Sequence, residues 1–324
     1  MHTLIVTPAQ AGVQGDRRDT CPWMPASAGM TEQGNAMDIF LLESALNGLL
    51  LGGVLALLSL GLNLIFGVID VVWIAYAELV MVGMYVIYWL HVVHGLPLAL
   101  AGLAAIASVA VLGVLVHLLI IQPILGSAPI NQLLATGGLL FLLQSVATLL
   151  FGTDFRNIGV HLPGVEIGDM HFGWARIIAC AVALAGAVGL YLFLARSYIG
   201  VAIRAIAQDR EIMGLMGVNP RTIYLVVSAI GGGLAGLAAC LLVLQYDVHP
   251  FIGLTFGPIT FMICVLGGLG NLMGGFLAAF VMSEIIAIGG YYFTTDVSYV
   301  IAFALFILLM FVKPSGLLAR GTSR

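Results

Sequence analysis

The sequence predicts an all-α fold, a polytopic membrane helical bundle of about eight or nine spans with some broken or re-entrant helices. Three observations carry this. Hydrophobic residues make up 61% of the 324 residues and charged ones 8%, with a mean hydropathy of +1.14, whereas a soluble domain has about 45–50% apolar and about 25% charged residues. The apolar residues also fall in runs near the roughly 20 residues that a helix needs to cross the hydrocarbon. Finally, the runs are continuously apolar rather than alternating, which excludes membrane strands.

Along the chain, residues 1–36 stand apart: they are polar, rich in Gly, Pro and Ala, and lack an apolar core of signal-peptide length. The expectation is that this tail is disordered or wrongly included ahead of a true start at Met37, and that 37–324 form one transmembrane domain. Span-length runs follow at 38–66, 71–92, 97–121, 130–151, 174–194, 221–245, 256–270, 273–293 and 297–312. Some are short or interrupted by glycine, hence the broken or re-entrant helices.

Basic residues in short loops set orientation. Arg196, Arg204, Arg210 and Arg221 in the 195–221 connector place it in the cytoplasm, as Lys313, Arg320 and Arg324 place the carboxyl terminus. Four crossings between 221 and 312 then put "GGLGN" (267–271) inside. Asp154, Glu166 and Asp169 put 152–173 outside, together with the turns at Asp247 and Asp296. The side of the amino terminus stays open. The pairs Gly48/Gly52, Gly232/Gly236 and Gly270/Gly274 have GxxxG spacing, which allows close helix approach in lipid.

Composition and motifs exclude several functions. A net charge of −4 and no basic block argue against a nucleic-acid partner. Cys21, Cys180, Cys240 and Cys264 form no CxxC, so neither zinc nor a redox pair is indicated. "GGGLAG" (231–236) matches GxGxxG, but it lies inside an apolar run with no preceding strand and reads as helix packing. No GxxxxGK[ST] occurs, so any ATP hydrolysis has to come from another subunit. His91 and His94 share a helix face without a third ligand and read as interfacial residues. No catalytic residue, metal site or cofactor is assigned, and the chain is read as a transport subunit, not an enzyme.

Two regions invite function. Glu78, in "DVVWIAYAELVMVG" (70–83), is a carboxylate within a span, and such groups usually face a cavity or partner. Trp73 and Tyr76 precede it, and such aromatics also collect at the membrane interface, so a buried and an interfacial Glu78 are equally open. Glu284 has the same ambiguity, while Asn47, Gln144 and Gln245 are polar groups that can bond neighbouring helices. In "RAIAQDREIMGLMGVNPRTI" (204–223), Arg204, Gln208 and Glu211 form a polar stripe at i, i+4 and i+7 of one helix. Ile212, Met213, Leu215 and Met216 add an apolar patch, Gly217 a left-handed cap, and Asn219–Pro220 a start for the next helix. A solvated loop needs no such patch; it suits docking into a groove of a partner protein.

Several stretches resemble the membrane permeases of branched-chain amino acid ABC importers. The family's cytoplasmic loop reads approximately R-A-x-A-x-D-x-x-x-A-x-L-x-G-I-N. Arg204, Ala205, Ala207, Asp209, Leu215, Gly217 and Asn219 fit it, with Val218 for Ile and Met213 for the small residue. The likeness covers about 46–318 and includes "NGLLLGGVLALLSLGLNLIFGVI" (47–69), "VLGGLGNLMGGFLAAF" (265–280) and "AFALFILLMFVKPSGL" (302–317).

The resemblance implies a multi-pass protein of the bacterial cytoplasmic (inner) membrane, surrounded by membrane lipid. It would pair with a second permease subunit and two cytoplasmic ATP-binding subunits, and receive substrate from a periplasmic substrate-binding protein. Arg204, Ala205, Asp209, Arg210, Glu211, Met213, Leu215, Met216, Gly217 and Asn219 would form the ATPase-coupling segment. Asn47, Trp73, Tyr76 and Glu78 would line the translocation pathway, and the 152–173 loop and 246–255 turn would receive the binding protein. The chain departs from the family where N-F-A-H-G-E is replaced by Trp73, Ile74, Ala75, Tyr76, Ala77 and Glu78. It departs again at Ile259, where a lysine is usual, and in "QPILGSAP" (122–129), which lacks a basic residue. The bulkier lining points to a different amino acid or a related small amide. The alternative function is an ion-coupled secondary carrier for small amino acids or amides, and a membrane-embedded enzyme ranks third.

Overall fold

A computed structural model describes residues 28–160, 164–167, 170–313 and 316. Residues 1–27 of the amino-terminal tail, His161, Asp169, Arg320, Arg324 and the side chains of Glu166, His171 and Glu211 lie outside the described residues. The chain runs α1 (Ala28–Ile69), α2 (Tyr76–Val93), α3 (Leu98–Ile124) and α4 (Pro129–Phe151), then a hairpin of β1 (Gly164–Ile167) and β2 (Met170–Gly173). It continues through α5 (Trp174–Arg196), α6 (Tyr198–Gln208), α7 (Arg210–Leu215), α8 (Pro220–Leu242), α9 (Ile252–Gly267), α10 (Leu272–Tyr292) and α11 (Thr295–Val312). Eight of the helices are long and apolar enough to cross a membrane, and α9 is a shorter apolar helix. The chain is thus an all-α polytopic bundle. The hairpin, absent from the sequence reading, sits in the 152–173 connector and spans nothing.

The axis of the bundle is α1. Between Gly48 and Leu58 its sequence is apolar on every face, and Val54, Leu55, Ala56, Leu57 and Leu58 are all buried, as expected of a helix surrounded by protein. Small residues admit its neighbours. A methyl group at Gly48 would lie 2.6 Å from Ala287 Cβ of α10, and one at Gly53 would lie 2.9 Å from Cys180 Sγ of α5. On the other side α8 meets α3: methyls at Gly232 and Gly236 would lie 2.6 Å from the Val109 carbonyl oxygen and 2.8 Å from Ile106 Cα. Two of the GxxxG pairs are therefore helix contacts. The third is not, because Gly270 lies in a turn with φ 80°, outside α10.

The ends of the bundle sort the loops. Asp70 lies beside Arg210, and Gly67 faces Gly270 while Gly268 faces Gly316. The 195–221 connector, the GGLGN turn and the start of the carboxyl-terminal segment thus share one end. At the opposite end Arg176 bonds Asn47, and Arg156 forms a β-bridge with Val248. The start of the α1 span, unplaced by charge counting, lies there too.

Chain breaks inside the bundle are stitched by side chains. After α1 the chain turns at Asp70 (φ 61°) and returns through Val71, Trp73 and Ala75, all buried; the carbonyl of Val72 accepts from Thr136 Oγ1 at 3.1 Å. Between α9 and α10, Gly268 and Gly270 take positive φ, the conformation glycine adopts without steric cost. Asn63 Oδ1 of α1 accepts from the Gly270 N–H at 3.1 Å, and Asn271 Oδ1 caps α10 at the Gly274 N–H.

Because Val109 backbone faces Gly232, Gly232→Val is expected to lower stability by about 1–3 kcal/mol, the usual cost of overpacking. Gly189→Val meets open space and should leave the melting temperature of detergent-purified protein unchanged.

Candidate functional site

The return segment after α1 brings Glu78, in the first turn of α2, to a buried position, 1% exposed. This decides between the two readings left open by the sequence: the carboxylate is inside the bundle. Gln144 Nε2 of α4 donates to its Oε1 at 2.9 Å, while Oε2 has no partner among the described residues. The carboxylate rests on the first turn of α9, where a methyl at Gly253 would overlap it. The first N–H groups of α9 are met by backbone, Ile252 N–H bonding the His249 carbonyl at 3.2 Å and Leu254 N–H that of Phe251 at 3.0 Å, so the carboxylate packs against the side of the helix at Gly253. With 16 residues, α9 is about 24 Å long against a hydrocarbon thickness of about 30 Å. It is a short helix that begins directly after the 246–251 segment.

Other polar atoms in this region are also buried and unpartnered: Trp73 Nε1, Tyr85 Oη and Thr260 Oγ1. Tyr85 follows Glu78 at i+7 on α2 and stacks on Phe151 at the end of α4, whereas Thr260 follows Gly253 at i+7 on the antiparallel α9, so the two lie in opposite directions along the bundle from the Glu78 contact. A buried polar group without a partner costs about 1–3 kcal/mol, so the open Glu78 Oε2 is not placed there for stability. Tyr76 differs, because its Oη donates to the Gly231 carbonyl at 2.9 Å, and its ring meets Trp73 edge-on. Chemically the Glu78 site offers one carboxylate oxygen that the described residues leave unpartnered. Trp73 and Tyr76 meet each other, and Tyr76 turns to α8, while Glu78 turns to α4 and α9; all three belong to the segment that returns into the bundle after α1. Asn47 does not: it lies in a cleft at the opposite end from Arg210, bonded to Arg176.

The second region is α6–α7. Ser197 caps α6 by accepting from the Gly200 N–H at 2.9 Å; Ala202, Ile203 and Ile206 are buried against the bundle, while Arg204 and Gln208 face out. The helix stops at Asp209 (φ −152°, ψ 106°), whose Oδ1 accepts from the Ile212 N–H at 3.0 Å. The single polar stripe expected over Arg204, Gln208 and Glu211 is therefore split between two helices, because an aspartate favours the N-cap over a helix interior.

A glycine cap closes α7. Gly217 has φ 84°, the Val218 N–H bonds the Met213 carbonyl at 3.2 Å, and the Gly217 N–H bonds that of Gly214 at 3.3 Å; this is the Schellman pattern. Asn219 Oδ1 then caps α8 at the Arg221 N–H, 3.0 Å away. The apolar patch divides: Met213 and Val218 pack on the core, whereas Ile212, Leu215 and Met216 are 54%, 89% and 75% exposed. Ala205 is half-buried. The Arg210–Asp70 pair, 3.8 Å apart and exposed, contributes little to stability.

At the opposite end, the 152–160 and 246–251 segments form one surface. Beside the Arg156–Val248 bridge, Asn157 Nδ2 donates to Asp247 Oδ1 at 2.8 Å and Phe155 stacks near His249. The missed residues are Gly253 and Arg176. Gly253 looks like one glycine among many, whereas Arg176 could have been found as a basic residue at the start of a span from an acidic loop.

A bundle of eight membrane-length helices with an internal polar seam, an exposed apolar knuckle at one end and a stitched loop surface at the other is a membrane transport subunit in class. The chain belongs to the family described as the branched-chain amino acid transport system permease component, whose pattern it matches over residues 44–310. It is 30% identical over 294 residues to the high-affinity branched-chain amino acid transport system permease protein BraD of Pseudomonas aeruginosa, covering 86% of this chain and 96% of BraD. It is 28% identical over 301 residues to the corresponding LivH of Escherichia coli, covering 87% and 96%. Another permease protein of that organism, LivM, is 28% identical over 289 residues, covering 81% of this chain and 67% of LivM.

The seam makes a specific energetic prediction. Gly253→Ala should destabilise the protein by about 1–3 kcal/mol by overpacking, and adding Glu78→Ala should recover most of that loss, whereas Gly257→Ala, whose methyl reaches Ala77 at 3.4 Å, should be near neutral. A double-mutant cycle on denaturation midpoints measures the coupling; additive effects would show that the two residues do not touch.

Proposed function

We propose that the protein is a permease subunit of an ATP-driven ABC importer that moves branched-chain or related hydrophobic amino acids across the bacterial cytoplasmic membrane by alternating access. The basic end, with Arg196, Arg204, Arg210, Arg221 and Lys313, faces the cytoplasm by the positive-inside rule. Two ATP-binding subunits dock there. A second permease completes the pair; the two E. coli relatives, LivH and LivM, carry the same description as permease proteins of a high-affinity branched-chain amino acid transport system. A periplasmic binding protein delivers substrate to the opposite end.

The observation that carries this reading is the exposure of Ile212, Leu215 and Met216 on a short capped helix at the basic end. Three large apolar side chains held out by a glycine cap fit a groove on a partner. Arg204, Ala205, Asp209, Arg210, Glu211, Met213, Gly217 and Asn219 shape and flank that knuckle. The Glu78 seam serves the pathway, with Trp73 and Tyr76 narrowing it.

A second reading has one observation in its favour. Glu78 is a buried carboxylate with a free oxygen, as an ion-coupled carrier would need. Collapse of the proton and sodium gradients at constant ATP separates the two: uptake persists for the importer and stops for the carrier.

Leu215→Glu combined with Met216→Glu should abolish co-purification of the ATP-binding subunits and reduce uptake of labelled leucine by about tenfold or more, as expected for central interface residues. Membrane levels of the chain should hold, since both side chains are exposed. An intact complex would contradict the docking assignment.

A further inference from the structure

We propose that the cleft at the end opposite the α6–α7 knuckle is an entry site that binds the backbone of a zwitterionic amino acid, with Arg176 taking the carboxylate and Glu43 the ammonium group. The cleft has a volume of about 600 Å³ and is walled by α1, the start of α5, the 245–246 turn and the facing ends of α10 and α11. Volumes of about 300–1,000 Å³ are usual for small-molecule sites. Arg176 Nη1 donates to Asn47 Oδ1 at 2.7 Å. This neutral partner fixes the guanidinium without cancelling its charge and leaves further donors of the fork for a carboxylate.

Glu43 and Asn47 both line the cleft and are four residues apart on α1, hence on one face and separated by about 6 Å along the axis. Glu43 therefore lines the cleft about one helical turn from Asn47, the residue that anchors the Arg176 guanidinium of α5. The ammonium and carboxylate of an α-amino acid, attached to one carbon, can bridge such a pair with one hydrogen bond at each end. Below them Leu51 and Ile286 also line the cleft and form an apolar floor for the side chain, while Tyr246 and Tyr299 close the rim. Neither Arg176 nor Glu43 is needed to hold the fold: both lie at the bundle end, and Arg176 is exposed. A basic residue on the end with the acidic loops also runs against the charge bias that sets topology. The inference rests on the amino-acid import reading and adds a second binding station, distinct from the Glu78 seam.

The test uses the assembled permease–ATPase complex in lipid nanodiscs and three probes: leucine, leucinamide without the carboxylate, and 4-methylpentanoate without the ammonium. The unmodified complex should bind leucine more tightly than either analogue. Arg176→Gln should weaken leucine binding about tenfold or more, the cost of a lost charge-assisted contact, and leave leucinamide binding unchanged; Arg176→Lys should retain part of the affinity. Glu43→Gln should weaken leucine and leucinamide but not 4-methylpentanoate. Equal loss for all three probes, or none, overturns the proposal. So does a defect confined to stimulation by the soluble binding protein, which would make the cleft a protein-docking surface. An unmodified complex that imports leucine without binding it in the cleft overturns this inference alone, whereas one that neither imports nor binds any of the amino acids removes the import reading as well.

Discussion

Hydrocarbon offers no hydrogen-bond partner, and the architecture of this protein follows from how the chain meets that constraint at its breaks. A helix satisfies its own backbone, so eight spans need nothing further. Each interruption needs a donor or acceptor from a neighbour. Thr136 serves the Val72 carbonyl and Asn63 the Gly270 N–H, while Tyr76 fastens the start of α2 to the α8 backbone. These polar side chains come from α1, α2 and α4, so the breaks can lie only where those helices surround them. Close packing around α1, made possible by its glycines, is what brings them there.

The same constraint gives the seam its character. Most polar groups at membrane depth are paired, but Glu78 is paired on one oxygen only, and Trp73, Tyr85 and Thr260 are left open. The segment carrying Trp73 and Glu78 begins at Asp70, beside Arg210 of α7.

Much of the fold was legible because hydropathy and helix length are strongly linked in a membrane. The spans follow the apolar runs closely, and Gly217 and Asn219–Pro220 announced their caps. What was not legible depends on long-range packing. Asp209 is compatible with a helix interior, and only its capping contact to Ile212 shows that the segment divides. Gly270/Gly274 has the spacing of a packing motif, yet Gly270 supplies a positive φ in a turn. The depth of Glu78 could not be read from hydropathy, since it depends on six residues returning into the bundle after α1. Asn47 was grouped with that segment as a polar residue in a span, whereas its partner is Arg176, 129 positions away. The likeness to branched-chain amino acid permeases, drawn from a loop pattern and three stretches, agrees with the family to which the chain belongs.

The most direct measurement of the account is leucine accumulation in proteoliposomes that contain both permease subunits and the ATP-binding subunits, with ATP enclosed and the binding protein outside. The account predicts accumulation above the external concentration with no ion gradient, and none when a non-hydrolysable analogue replaces ATP. Accumulation that follows an imposed proton or sodium gradient and ignores ATP would contradict it.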